Sequence, residues 1–202
     1  MQRLLSGYRR FRAERWPKER ALYRALAAGQ TPRLLVIACS DSRVDPATIF
    51  AAEPGELFII RNVANVVPPF VNDGGLHAAS AAIEFAVKKL KVRTILVMGH
   101  AACGGVSAAL SEDRDADSPF LAAWIDLIAP AKARCAACSD GDLQTALERE
   151  NVKLSLERLL TFPFVAEAAS DGRLALEGAR FGIQDGKLEI YDAIEGVFQS
   201  LD

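Results

Sequence analysis

The sequence predicts an α/β fold: a mainly parallel β-sheet flanked by helices, with an antiparallel edge strand. Three observations carry this. Short, unbroken apolar runs rich in β-branched residues recur at 34–38 (LLVIA), 56–61 (ELFIIR) and 93–98 (RTILVM), as strands buried on both faces require. Helical patterns separate these runs. Near the end of the chain, Asp185-Gly186 stands between two strand-like segments and marks a hairpin.

The elements follow in order. Residues 1–30 form an arm in which Leu4, Leu5, Tyr8, Phe11 and Trp16, then Leu22, Tyr23 and Leu26, give two short amphipathic helices separated at Pro17. Gly29 and Pro32 end the arm before the first strand, and 31–202 form the α/β core of one domain spanning 1–202. Asp45-Pro46 pairs an N-cap with a proline at the first helical position, so a short helix covers 46–52. A helix over 73–90 is entered through Gly74-Gly75 and anchored by Ile83, Phe85, Ala86 and Leu90. Gly104-Gly105 opens another. Residues 111–118 are polar and read as a loop, and 119–138 and 142–170 read as helical, with a bend near Pro163. Segments 174–183 and 187–191 flank the hairpin turn. There is no internal repeat.

Composition bounds the function. The chain has 202 residues, 50% hydrophobic and 25% charged, which excludes a disordered or collagen-like protein. No apolar run reaches the ~18–20 residues of a membrane helix, so no membrane is expected as a partner. The N-terminus lacks the apolar core of a secretory signal, and four Cys without such a signal point to a reducing, cytoplasmic setting. Residues 1–33 hold nine of the 24 basic residues but two of the 26 acidic ones. A basic arm with an apolar stripe reads as docking on the protein's own acidic body or on a twin subunit, not on nucleic acid.

Chemistry concentrates where strands end. In a parallel sheet, ligands sit beyond the carboxyl ends of the strands, where the strand order reverses. Cys39-Ser40-Asp41-Ser42-Arg43 follows the first strand, and His100-Ala101-Ala102-Cys103-Gly104-Gly105 follows the third. If those strands are neighbours, Cys39, His100 and Cys103 converge. Two thiolates and an imidazole suit zinc, and three protein ligands leave a fourth position open. Taken alone, H-x-x-C reads more readily as buried thiols beside a core histidine than as a metal site. The strand-terminal Cys39 joined to Asp41 and Arg43 turns the reading toward a metal site.

The paired motifs resemble those of the β-class carbonic anhydrases. Glu53-Pro54-Gly55-Glu56, Arg61-Asn62-Val63-Ala64-Asn65, Ala82-Ile83-Glu84-Phe85-Ala86-Val87 and Thr161-Phe162-Pro163-Phe164-Val165 resemble that family too. The resemblance implies Zn2+ on Cys39, His100 and Cys103, and reversible hydration of CO2 to bicarbonate and a proton by a zinc-bound hydroxide. It makes Asp41 and Arg43 the catalytic pair, Asp41 accepting a hydrogen bond and Arg43 holding its carboxylate. In a closed state, Asp41 would leave Arg43 and become the fourth ligand. Gln30, Phe58, Val63 and Phe85 match the substrate pocket, and Gly104 offers a backbone N–H to bicarbonate. Phe85 stands where the family often has Tyr. The resemblance further implies a homodimer or dimer of dimers, with the pocket completed across the subunit interface and the N-terminal helices embracing the partner.

Other features carry less. His77, near a helix start, is the one histidine left for proton shuttling. Cys135 and Cys138 have thioredoxin-like spacing but sit outside any βαβ turn, so their thiols read as incidental. Arg61 matches an arginine that, in one subgroup, helps bind a second, non-catalytic bicarbonate. That subgroup has Trp where this chain has Val36, and its partner Tyr has no clear equivalent here. Hydrolysis of CS2 or COS, and a zinc- or bicarbonate-binding module without catalysis, are the competing readings.

Overall fold

Strand β1 (Leu34–Cys39) sets the architecture, because successive side chains of a strand point to opposite faces and here both faces are buried. Leu35 and Ile37 pack with Ile83, Ile95, Val97 and Phe162 on one side. Val36 and Ala38 pack with Leu96, Met98 and Ala179 on the other. The computed structural model describes residues 1–111, 117–135 and 142–201. It places β1 inside a six-stranded sheet with β2 (Leu57–Asn62), β3 (Thr94–His100), β4 (Ala175–Phe181), β5 (Leu188–Asp192) and β6 (Val197–Leu201), in the order β2-β1-β3-β4-β5-β6. The first four strands run parallel and the last two antiparallel. This is the mainly parallel sheet with an antiparallel edge that the sequence predicts.

Several boundaries differ, each for a physical reason. Pro17 does not separate two helices. Helix α1 (Gln2–Arg10) passes through a widened turn, Phe11–Arg15, directly into α2 (Trp16–Leu26). The Trp16 N–H reaches the Phe11 carbonyl five residues back, so the wider turn makes room for a proline that lacks an N–H and would crowd a tighter helix. Helix α3 (Pro46–Ile49) is shorter than expected, with Asp45 accepting from the Thr48 N–H as its cap. The helix expected over 73–90 begins at α4 (Ala78–Glu84) and continues as a widened turn to Leu90. Asp73 Oδ1 instead takes the Gly75 N–H at 2.7 Å and pairs with His77 Nε2 at 2.8 Å, which closes a turn rather than a helix.

Helix α5 (Gly104–Leu110) follows β3, and α6 (Pro119–Ile125) and α7 (Ala129–Cys135) are joined by a tight 3₁₀ turn. Most of the expected 111–118 loop, and Cys138, lie outside the described residues. The stretch 142–170 divides at Pro163 into α8 (Leu143–Leu159) and α9 (Pro163–Ser170). The hairpin pairs Phe181 with Leu188, so its connection spans 182–187, with Gly186 at φ +71° completing the turn. Strand β6 has no counterpart in the sequence reading. It is a mostly exposed edge strand whose pairing with β5, not any apolar run, defines it.

Candidate metal centre

The chain leaves β1 for β2 on one side, while β3 lies on the other, so the strand order reverses beside β1. Cys39 is the last residue of β1 and His100 the last of β3, and parallel pairing brings both to the same end of the sheet. Ala102 then takes a left-handed turn at φ 53°, which lets Cys103 fold back as the N-cap residue of α5. The two sulfurs lie 3.9 Å apart, and one ligating atom from each of Cys39, His100 and Cys103 falls within 4.8 Å of the others. All three residues are buried.

The histidine is oriented for ligation. Its Nδ1 donates to the Ala101 carbonyl at 2.9 Å, which leaves the lone pair on Nε2. Nε2 is buried and has no hydrogen-bond partner. An orphaned imidazole nitrogen costs free energy unless something occupies that position, and two facing thiols make the occupant a borderline-soft cation. Cys39 is pushed below its ordinary range chiefly by its hydrogen bond with the Cys103 sulfur, and burial opposes this. Cys103 is pushed up, because its proton is shared with Cys39 and because it is buried. A divalent ion held there would take both sulfurs as thiolates and be neutralised by them. The donor set fits Zn2+.

Beside these three residues, Asp41 and Arg43 form a closed pair. Arg43 Nε donates to Asp41 Oδ1 at 2.9 Å and Nη2 to Oδ2 at 2.6 Å, and the Arg43 backbone N–H also reaches Oδ1, at 2.9 Å. This fork holds the Asp41 carboxyl well below the usual carboxylate range, with burial opposing. Asp41 Oδ2 lies 4.0 Å from His100 Nε2. Arg43 Nη2 also donates to the Ala102 carbonyl at 3.0 Å, tying the pair to the ligand loop. Arg61 braces the other side: its guanidinium donates to the carbonyls of Cys39 at 2.9 Å, Asp41 at 2.6 Å and Val44 at 3.3 Å.

The expected pocket residues separate into two groups. Val63 and Gly104 are at the ligand end: a Cβ on neighbouring Gly105 would stand 2.8 Å from Val63 Cγ1. Phe58 and Phe85 stack at 5.8 Å between centroids, but at the opposite end. Phe58 pairs with Leu35 while Asn62 pairs with Cys39, so four residues, or about 13 Å of strand, separate Phe58 from the ligand end. Gln30 is exposed just ahead of β1 and belongs with this second group. His77 lines a cleft of about 360 Å3 with Arg61, Asn62, Leu76 and Trp124.

The sequence reading missed the floor of the site. Helix α8 buries Glu148, Asn151 and Ser155, three polar residues at helical spacing on its inward face. Glu148 Oε1 accepts the Cys103 N–H at 3.1 Å, Asn151 Nδ2 donates to the Ala64 carbonyl at 2.8 Å, and Ser155 Oγ donates to the Asn65 carbonyl at 3.3 Å. Ala64 and Asn65 are both left-handed, at φ 62° and 48°. The polar stripe therefore holds two strained loops. Its one sequence signal is the 148/151/155 period among Leu147, Val152 and Leu154.

Comparison with known proteins agrees with this arrangement. A family model described as carbonic anhydrase matches residues 34–188. Beta carbonic anhydrase 3 of Arabidopsis thaliana is 40% identical over 200 residues, covering 95% of this chain and 77% of that protein. Among solved structures, the β-carbonic anhydrase CcaA superposes with a TM-score of 0.90 at 32% identity, covering 100% of this chain and 92% of the other. One of two tetrameric β-carbonic anhydrases from Sordaria macrospora gives 0.84 at 30% identity, covering 98% of each chain.

Proposed function

This chain belongs to the β-class carbonic anhydrases, and from that membership we infer that it catalyses the reversible hydration of CO2 to bicarbonate and a proton at a Zn2+ site formed by Cys39, His100 and Cys103. The observation that carries the assignment is the orphaned His100 Nε2, facing two thiols and 4.0 Å from a carboxylate locked to Arg43. Zinc bound there supplies a Lewis acid that lowers the pKa of a coordinated water, less strongly than at a three-histidine site because two thiolates neutralise the ion. The protein's own groups do the rest. Asp41 Oδ2, kept ionised by Arg43, accepts the proton-bearing edge of the reacting water and turns its lone pair toward the substrate carbon. A carboxylate held this low accepts but does not donate, so it fixes one orientation. Val63 forms an apolar wall, and Gly104, with open space where a Cβ would stand, presents its N–H to the bicarbonate oxygens.

A single chain carries this pocket in two halves, with Gln30, Phe58 and Phe85 at the far end of the sheet. A second copy brings its Gln30, Phe58 and Phe85 to the ligands of the first. Helices α1 and α2 bury no residue in the isolated chain, and Leu4 and Tyr8 are exposed, as an arm that docks on a partner requires. The Sordaria relatives are tetrameric, and we assign a homodimer or dimer of dimers. The unbridged thiols of Cys39 and Cys103 suit a cytoplasmic setting, and no described helix is long and apolar enough to cross a membrane.

Stopped-flow CO2 hydration, with zinc analysis of the same preparation, tests the assignment. About one zinc per chain and fast hydration are expected, with Cys39→Ser and Cys103→Ser losing both and Cys135→Ser keeping both. Stoichiometric zinc without hydration would leave only a binding module.

A further inference from the structure

Beneath the ligands, α8 places a charge chain that the mechanism above does not use. Glu148 and Arg180 are buried, 2% and 8% exposed. Arg180 donates from Nε to Glu148 Oε2 at 2.8 Å, and its Nη2 lies 2.8 Å from the same oxygen. Its Nη1 lies 3.5 Å from Glu189, which in turn holds Arg149 by two bonds of 2.6 and 3.0 Å. The chain of charges alternates in sign and runs from the site outward. Its inner end is not spent on packing: Glu148 Oε1 takes the Cys103 N–H at 3.1 Å and a proton of Gln144 Nε2 at 2.8 Å. Gln144 Nε2 also donates to the Cys103 carbonyl at 3.1 Å.

We propose that Glu148 and Gln144 are positioning residues for Cys103, clamping both peptide groups of the ligand so that its sulfur is presented to zinc before the metal arrives. This rests on the zinc reading above. The loop needs such a clamp. Ala102 sits in the left-handed region, which costs a residue with a Cβ free energy that the surroundings must hold in place. The Ala101 N–H bonds the Phe181 carbonyl at 2.9 Å, Arg43 takes the Ala102 carbonyl, and α8 takes both polar groups of Cys103. The loop is thus tied at Ala101 to β4, at Ala102 to Arg43 and at Cys103 to α8. Arg180 makes a carboxylate tenable at 148, since an unpaired charge there would be costly. The ionised acceptor in turn gives the Cys103 N–H a stronger bond than a neutral one would.

Outer-shell partners of metal ligands tune affinity by about 10- to 100-fold. The test uses zinc-loaded wild type, Gln144→Ala, and Glu148→Gln/Arg180→Gln, the double change avoiding a buried guanidinium without its counter-charge. Zinc transfer to a chromophoric chelator is timed, and the Co2+-substituted proteins are compared by their thiolate-to-metal absorption. We expect release about tenfold faster or more in the double variant, measurably faster in Gln144→Ala, and a displaced Co2+ spectrum in both. Wild-type release and spectra in Gln144→Ala would overturn the clamp, whether or not the double variant folds. Wild-type behaviour in a folded double variant would overturn it equally. A wild-type chain that binds no zinc would instead refute the metal assignment itself, so the two failures are distinguishable.

Discussion

Replacing Gly105 by Ala sets two opposing terms against each other at the start of α5. Ala gains up to ~1 kcal/mol over Gly in a helix. Its Cβ, however, would stand 2.8 Å from Val63 Cγ1, 2.9 Å from Ala64 Cβ and 3.4 Å from the Ala64 nitrogen. Val63 is partly exposed and can turn away. Ala64 cannot, because it is fully buried at φ 62° with its carbonyl held by Asn151 at 2.8 Å. The helix must therefore move, and its N-cap residue is Cys103. Over-packing of this kind costs ~1–3 kcal/mol, so packing outweighs propensity over most of that range and the net loss is up to about 2 kcal/mol. For a chain of this length, that lowers Tm by up to about 8 °C. Gly104→Ala, one residue earlier, meets nothing within 4 Å and should raise Tm slightly. Calorimetry of the zinc-loaded proteins at one protomer concentration checks both signs, with zinc transfer to a chelator measured alongside. Gly105→Ala melting at or above Gly104→Ala, with wild-type zinc retention, would refute the reasoning.

Asp41→Ala and Arg43→Ala should keep their zinc yet lower kcat/KM by about a hundredfold or more; near-normal kinetics in either variant would make the pair structural. Because Arg43 holds the folded Asp41 pKa below its unfolded value of ~3.9, the stability from that pair is complete above this value and is lost as pH falls through the folded one. Urea midpoints of wild type and Asp41→Asn should therefore differ at neutral pH and converge below about pH 4, and a gap that stays constant into strong acid would contradict the shift. Bicarbonate should not impose steep cooperativity, since Val36 replaces the subgroup's Trp, Arg61 Nε and Nη2 are taken by the Cys39, Asp41 and Val44 carbonyls, and Nη1 lies 3.5 Å from the Asp45 carboxylate. The check is kcat/KM against pH with and without added bicarbonate, and a multi-proton profile deepened by bicarbonate would show a second anion site after all.

The parts legible in the sequence are those whose physics is local or periodic. Strands β1 and β3 are buried on both faces, so they appear as unbroken apolar runs, and the chemistry-bearing Cys39 and His100 stand where those runs stop. Asp45 before Pro46 marks a helix start through a cap and a fixed backbone angle that need no tertiary contact, while Pro163, which reads only as a bend, is where α9 begins. The pairing of Asp41 with Arg43, two residues apart, is implied by the family resemblance, since spacing alone reads equally as a helix cap and a surface salt bridge.

What the tertiary structure decided depends on contacts between residues far apart in the chain. That Glu148 supports Cys103, and that Arg180 neutralises it, involves partners 45 and 32 positions away and leaves only a faint polar period on α8. The widened turn before Pro17 and the turn made by Asp73 and His77 are compromises between competing local bonds, and composition does not rank them. Strand β6 exists because β5 offers it an edge. The division of Gln30, Phe58 and Phe85 from the ligands also lies beyond sequence reading, because strand direction and register, not residue type, set which end of the sheet a side chain occupies.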